Sequence, residues 1–184
     1  NRTARTNINN HVPLLLLITG LLSQLTAFPW MFHWLLYDGV WERPPLFCSI
    51  WTLLDWGIYC TQTILFAWGS IERHILIFHA KWLKKRLHCF FLHYLPLILI
   101  LVYCSIYYSV MYLFPPQPNS FDDTSLQCVV EYLLNETQLV IYDMIVHQIG
   151  PVFMIILSSL SLLGRVIWWK SRLNQQNQWR RHRK

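Results

Sequence analysis

The chain has 184 residues, a formal net charge of +6, 54% hydrophobic residues and only 13% charged ones. A soluble domain carries about 25% charged residues, so this supply, with a mean hydropathy of +0.31, excludes an ordinary soluble globule. The apolar content excludes disorder, and 6 Gly with 9 Pro exclude a collagenous or low-complexity chain.

The few charges fall in clumps. No Asp, Glu, Lys or Arg occurs from Thr6 to Tyr37. This stretch predicts a first membrane span near 12–36, since a helix needs about 20 apolar residues to cross the hydrocarbon core. It is too long for a secretory signal and lacks a cleavage site. Asp38, Glu42 and Arg43 mark a short loop. A second span is predicted near 46–71, where Asp55 is the lone charge. Arg73, Lys81, Lys84, Lys85 and Arg86 make the next loop basic. The uncharged run from Leu87 to Phe121 predicts a third span near 92–114. The loop 115–140 is acidic and holds the sequon Asn135-Glu136-Thr137. A fourth span is predicted near 141–168, with Pro151 inside it, followed by a basic tail, 169–184. The alternation of a membrane barrel strand is absent. The expected fold is therefore an all-α membrane protein with four transmembrane helices in one domain, 1–184.

Lys and Arg orient the spans. All of the 15 basic residues except Arg43 lie on one side of a four-helix arrangement. That side is expected to be cytoplasmic, with both termini inside. Trp30, Trp34 and Trp41 would flank the outer interface, and Trp82, Trp168 and Trp169 the inner one. Asn135 would then face outside, where it can be glycosylated, while the sequon at Asn1 would not. Cys48 and Cys128 share the oxidising side, which is compatible with a disulfide. Cys60 and Cys104 read as small apolar filler within the membrane, and Cys89 lies at its inner edge. No Cys or His spacing fits a metal site, and no catalytic constellation or cofactor motif is present.

Asp55 is costly inside a span, so it should face the bundle interior or a water-filled cavity. Two readings stand for it: a counter-ion for a cationic ligand, or a structural carboxylate bonded to a neighbouring helix. Glu72-Arg73-His74 closes the second span. A carboxylate beside a guanidinium can hold it in a charge-assisted pair and act as a two-state latch. The other reading of Arg73 is ordinary anchoring after a span.

Cys48, Asp55 seven residues later, and Glu72-Arg73-His74 twenty-four residues after the Cys keep an unusual spacing. The segment from Cys48 to Phe78 resembles the third transmembrane helix of a rhodopsin-like (class A) G-protein-coupled receptor. Cys128 resembles that family's second-extracellular-loop cysteine, Pro151 the proline of the fifth helix, and the basic tail the approach to the sixth. The resemblance covers essentially the whole chain, as the second to fifth helices of seven, and so implies an incomplete seven-helix bundle. It implies that Arg73 meets a heterotrimeric G protein, that Glu72 restrains Arg73 at rest, and that His74, Ile77 and the following basic loop line the contact. It places Asp55 and Tyr59 toward an extracellular ligand, a peptide or a small amine, with Asp143 and His147 facing them from the fifth helix. Three family features differ here. Thr19-Gly20-Leu21-Leu22-Ser23 has no sodium-binding carboxylate, 93–114 has no Trp, and Ser159 stands where a Tyr is usual.

The implied protein is a receptor and signal transducer of the plasma membrane, not an enzyme, with no nucleic-acid partner. Its rivals are a four-span scaffold or adhesion protein, which would want more cysteines than Cys128 in the large loop, and a transporter fragment, which would show internal repeats.

Overall fold

The computed structural model describes residues 2–37, 43–78, 86–114, 128 and 136–182, with the backbone alone for 2–9, 86 and 173–182. All regular structure among the described residues is helical. Four long helices follow one another. Helix α1 is Arg2–Leu36. Helix α2 (45–78) joins Pro45–Thr52, a π-helical turn Leu53–Gly57, and Ile58–Phe78. Helix α3 (86–113) joins Arg86–Cys89, a π turn Phe90–Tyr94, and Leu95–Leu113. Helix α4 (137–182) joins Thr137–Asp143, a π turn Met144–Ile149, and Gly150–His182.

Prolines explain much of this punctuation. Pro44 is extended (φ −57°, ψ 141°) and Pro45 opens α2, where a missing N–H costs nothing. Pro96 and Pro151 each follow a π turn closely. A proline ring crowds the carbonyl four residues back, here Leu92 and His147. The wider turn before it gives that carbonyl room. The kink residue expected at Pro151 thus sits just after an irregular turn. Pro13 and Pro29 lie within α1.

Asn10–Leu36, Leu87–Leu113 and Thr137–Arg172 are long and apolar enough to cross a membrane. Helix α2 is the more polar fourth, carrying Asp55, Gln62 and Glu72, and it packs on each of the other three. Four helices were expected and four are found, and the helices outrun the expected spans. The second helix runs past 71 to Phe78, the third starts before 92 at Arg86, and the fourth starts before 141 at Thr137. The segment read as a tail, 169–184, continues α4 to His182. Charges mark where hydrocarbon ends, whereas the backbone ladder continues into the headgroup region and beyond.

The packing is inverted relative to a soluble protein. Leu17, Leu21, Leu25, Phe153, Leu160 and Ile167 are exposed, while Glu72, His93, His147, Thr61 and Ser49 are buried. Such continuous apolar exterior is the sign of a lipid-facing surface. The interior holds three small clusters. Val12, Leu65 and Leu97 join α1, α2 and α3. Cys60, Cys104, Tyr108 and Tyr112 join α2 and α3. Cys48, Trp51 and Cys128 close one end. Two glycines permit close approaches between helices. A Cβ on Gly69 would lie 2.9 Å from Val12 Cγ1, and one on Gly57 would lie 3.3 Å from Tyr108 Cβ.

Candidate functional site

One end of the bundle is closed by the Cys48–Cys128 disulfide, with an S–S length of 2.04 Å. Both half-cystines are buried. Thr52, one turn along α2, donates to the carbonyls of Cys48 and Cys128, each at 2.9 Å, and so pins Cys128 to the helix. Trp30, Phe47 and Trp51 stack edge to face around the bridge, with centroids 5.1–5.8 Å apart. Trp30, read as an interfacial anchor, packs partly inward. The Arg43 guanidinium lies 5.8 Å from the Trp51 ring centroid.

Below this cap lies a polar network. Asp143 Oδ1 accepts from Tyr108 Oη at 2.9 Å and from His147 Nδ1 at 2.8 Å. Asp143 Oδ2 accepts from Trp56 Nε1 at 3.2 Å. His147 is fully buried, and its Nε2 lies 2.9 Å from Tyr103 Oη, which lies 3.1 Å from Tyr142 Oη. One proton arrangement satisfies every member. Tyr142 donates to Tyr103, Tyr103 to His147 Nε2, and His147 Nδ1–H to Asp143. The carboxylate thus holds donors from α2, α3 and its own helix.

The four expected ligand residues gather here unequally. Asp143 and His147 touch directly. Asp55 is half-buried on the π turn of α2, beside Trp56. Tyr59 is 49% exposed, with its ring 5.7 Å from that of Trp56. Trp56 is therefore the bridge from the Asp55 turn to Asp143. Sequence reasoning missed Trp56 and the tyrosines. Tyr103, Tyr107, Tyr108 and Tyr112 at i, i+4, i+5 and i+9 mark a face of α3 that turns phenols toward α2 and α4, and this spacing was the available clue.

Midway along the bundle, Gln62 Nε2 donates to Thr19 Oγ1 at 3.3 Å, and Thr19 Oγ1 donates to Leu15 O at 2.9 Å. The level where a sodium-binding carboxylate was lacking is closed by a neutral pair.

The far end of α2 carries the second site. Glu72 is buried, and its Oε1 bonds to His93 Nδ1 on α3. His93 is fully buried, and its Nε2 lies 3.0 Å from His11 Nδ1 on α1. With neutral imidazoles, His11 Nδ1–H donates to His93 Nε2, and His93 Nδ1–H donates to Glu72. The expected partner of Glu72 was Arg73. The carboxylate instead turns into the bundle, because the next residue on a helix projects about 100° away. Arg73 is exposed and has no hydrogen bond or ion pair among the described residues. His74 Nε2 lies 3.3 Å from Ser161 Oγ, tying α2 to α4, and Ile77 is exposed. His11 and His93 went unnoticed in the sequence, although histidines buried in apolar runs are expensive unless partnered. The basic loop around 79–85 and Asn135 lie outside the described residues.

An inverted, four-helix, lipid-facing bundle with a disulfide at one end, polar cores within and a Glu-Arg-His at the other end defines a helical membrane protein of receptor type. The family model of the 7 transmembrane receptor (rhodopsin family) matches residues 1–184, so the chain belongs to that family. Neither the curated proteins nor the solved structures include a match. The family points to G-protein-coupled receptor signalling from a multi-pass position in the membrane, and it is generally non-enzymatic.

Proposed function

We propose that the chain binds an extracellular ligand at the disulfide end and activates a heterotrimeric G protein from the Glu72 end. The observation that carries this reading is the Asp143 network, a partly buried carboxylate that ties α2, α3 and α4 together beneath the disulfide cap. A ligand that prefers one arrangement of these donors shifts the population of helix packings. The ligand is a peptide or a small amine. For an amine, Asp55 on the π turn and Asp143 are the carboxylates toward this end, with Tyr59 and His147 as the further ligand residues. The distribution of the basic residues supports a cytoplasmic Glu72 end and cytoplasmic termini in a plasma-membrane protein, with Asn135 outside and open to glycosylation.

At the cytoplasmic end Arg73 is the residue that meets the G protein, with His74 and Ile77 nearby. Glu72 restrains the resting bundle by a different route, through His93 and His11. Basal nucleotide exchange on a G protein, measured in membranes expressing the chain, tests this. Arg73→Ala at equal surface expression should reduce exchange at least about tenfold, the loss of ~1.4 kcal/mol of coupling. Unchanged exchange in Arg73→Ala would remove the reading.

A further inference from the structure

Arg165, Trp168, Trp169 and Arg172 stand at i, i+3, i+4 and i+7 on α4, one stripe of a helix. The Arg165 guanidinium carbon lies 5.0 Å from the centroid of the Phe78 ring on α2. That of Arg172 lies 4.6 Å from the Trp168 ring. Stacking occupies the flat face of a guanidinium and leaves its edge N–H groups to one side, and these bond to no described residue. A groove of about 340 Å³ runs beside them, lined by Phe78, Gly164, Arg165, Trp168 and Trp169. The groove is open at Gly164, where a Cβ would meet no heavy atom within 4 Å.

The charge around this stripe is one-sided. No Asp or Glu occurs from Met144 to Lys184, and Glu72 on α2 is taken by His93. The depth is marked as well, because the uncharged run that begins at Met144 ends at Gly164, immediately before Arg165. Trp168 and Trp169 are 55% and 62% exposed, and such rings favour headgroup level.

The geometry points to a binding site for an anionic phospholipid. The phosphate sits on the edge N–H groups of Arg165 and Arg172, whose fork geometry matches phosphate oxygens. One acyl chain lies in the groove between Phe78 and the two tryptophans. A lipid fits better than an acidic protein segment, since the stripe is half apolar and begins where the uncharged run of the span ends. The assignment rests on the proposed topology only for which leaflet supplies the lipid. Its test needs no G protein, so either result can fail alone.

The test is native mass spectrometry of the chain in neutral detergent with equal phosphatidylglycerol and phosphatidylcholine. Phosphatidylglycerol adducts should exceed phosphatidylcholine adducts. Arg165→Gln and Arg172→Gln should each lower the phosphatidylglycerol adduct about fivefold and leave the phosphatidylcholine adduct unchanged. Gly164→Leu should fill the groove and lower both adducts at an unchanged melting temperature. Equal retention of the two lipids would overturn the site, as would undiminished phosphatidylglycerol in Gly164→Leu or in the double glutamine variant. Loss of a Glu-rich peptide from the double variant, with lipid retained, would reassign the face to an acidic protein partner.

Discussion

Replacing His93 with leucine removes a side chain of similar size and two hydrogen bonds at once. Glu72, 5% exposed, then keeps its acceptor oxygens without the imidazole donor. An unsatisfied buried acceptor costs about 1–3 kcal/mol, and breaking a buried charged pair costs ~3–5 kcal/mol. Hydrogen bonds inside membrane bundles average only about 0.6 kcal/mol, with a maximum near 1.7. The lower estimates govern here, and about 2 kcal/mol is expected. For a chain of this length that corresponds to a melting temperature lowered by ~4–8 °C. The free cysteines Cys60 and Cys104 are buried, so a thiol-reactive dye reports unfolding directly in detergent. The decisive comparison is the double variant Glu72→Leu with His93→Leu. Removing both polar partners should recover most of the loss, since only His11 Nδ1, partly buried, is left to find water. A single variant melting within about 1 °C of the parent, or a double variant that falls further, would refute the reasoning.

Three further outcomes follow from other contacts. Cys128→Ser opens a closure of 80 residues, worth at most ~4.5 kcal/mol in the chain-entropy account. It should lower the melting temperature more than any single hydrogen-bond deletion, and reductant should add nothing to it. Tyr108→Phe takes one of three donors from Asp143 and should cost only ~0.6–1.7 kcal/mol; a larger fall in the thiol-dye melt would mean the remaining donors do not suffice. Exchanging K⁺ for Na⁺ at constant ionic strength should leave the melting curve in place, because the neutral Thr19–Gln62 pair offers no carboxylate; a sodium-dependent shift would contradict it.

Much of the fold was legible in the sequence, because the physics that places spans is one of composition. Runs without charge between Thr6 and Tyr37, or Met144 and Gly164, need no knowledge of neighbours. The shared oxidising side of Cys48 and Cys128, set by the basic residues, and the family resemblance made their bridge legible too. The polar interior was less accessible, because it depends on which helix faces which. Glu72 lies next to Arg73 in sequence, so an adjacent ion pair was the local reading. The observed partner, His93, is 21 residues away and becomes a neighbour only once α3 packs against α2. Tyr108 reaches Asp143 across 35 residues for the same reason. Helix ends were also beyond the composition, as the ladder of α4 outlasts its apolar run.

The π turns have a consequence for measuring such helices by eye. A π turn accommodates about one residue more than an α turn, and each residue advances the face by about 100°. The turn Leu53–Gly57 stands between Cys48 and Glu72, so it sets the rotational phase of the far end against the disulfide. Were the same residues to run as plain α, the far end would turn by about 100° and carry Glu72 out of reach of His93, without altering a side chain at either end. Residue spacing along α2 is therefore a dial with an adjustable zero, and a relative one residue shorter there could keep the same geometry by lacking the turn.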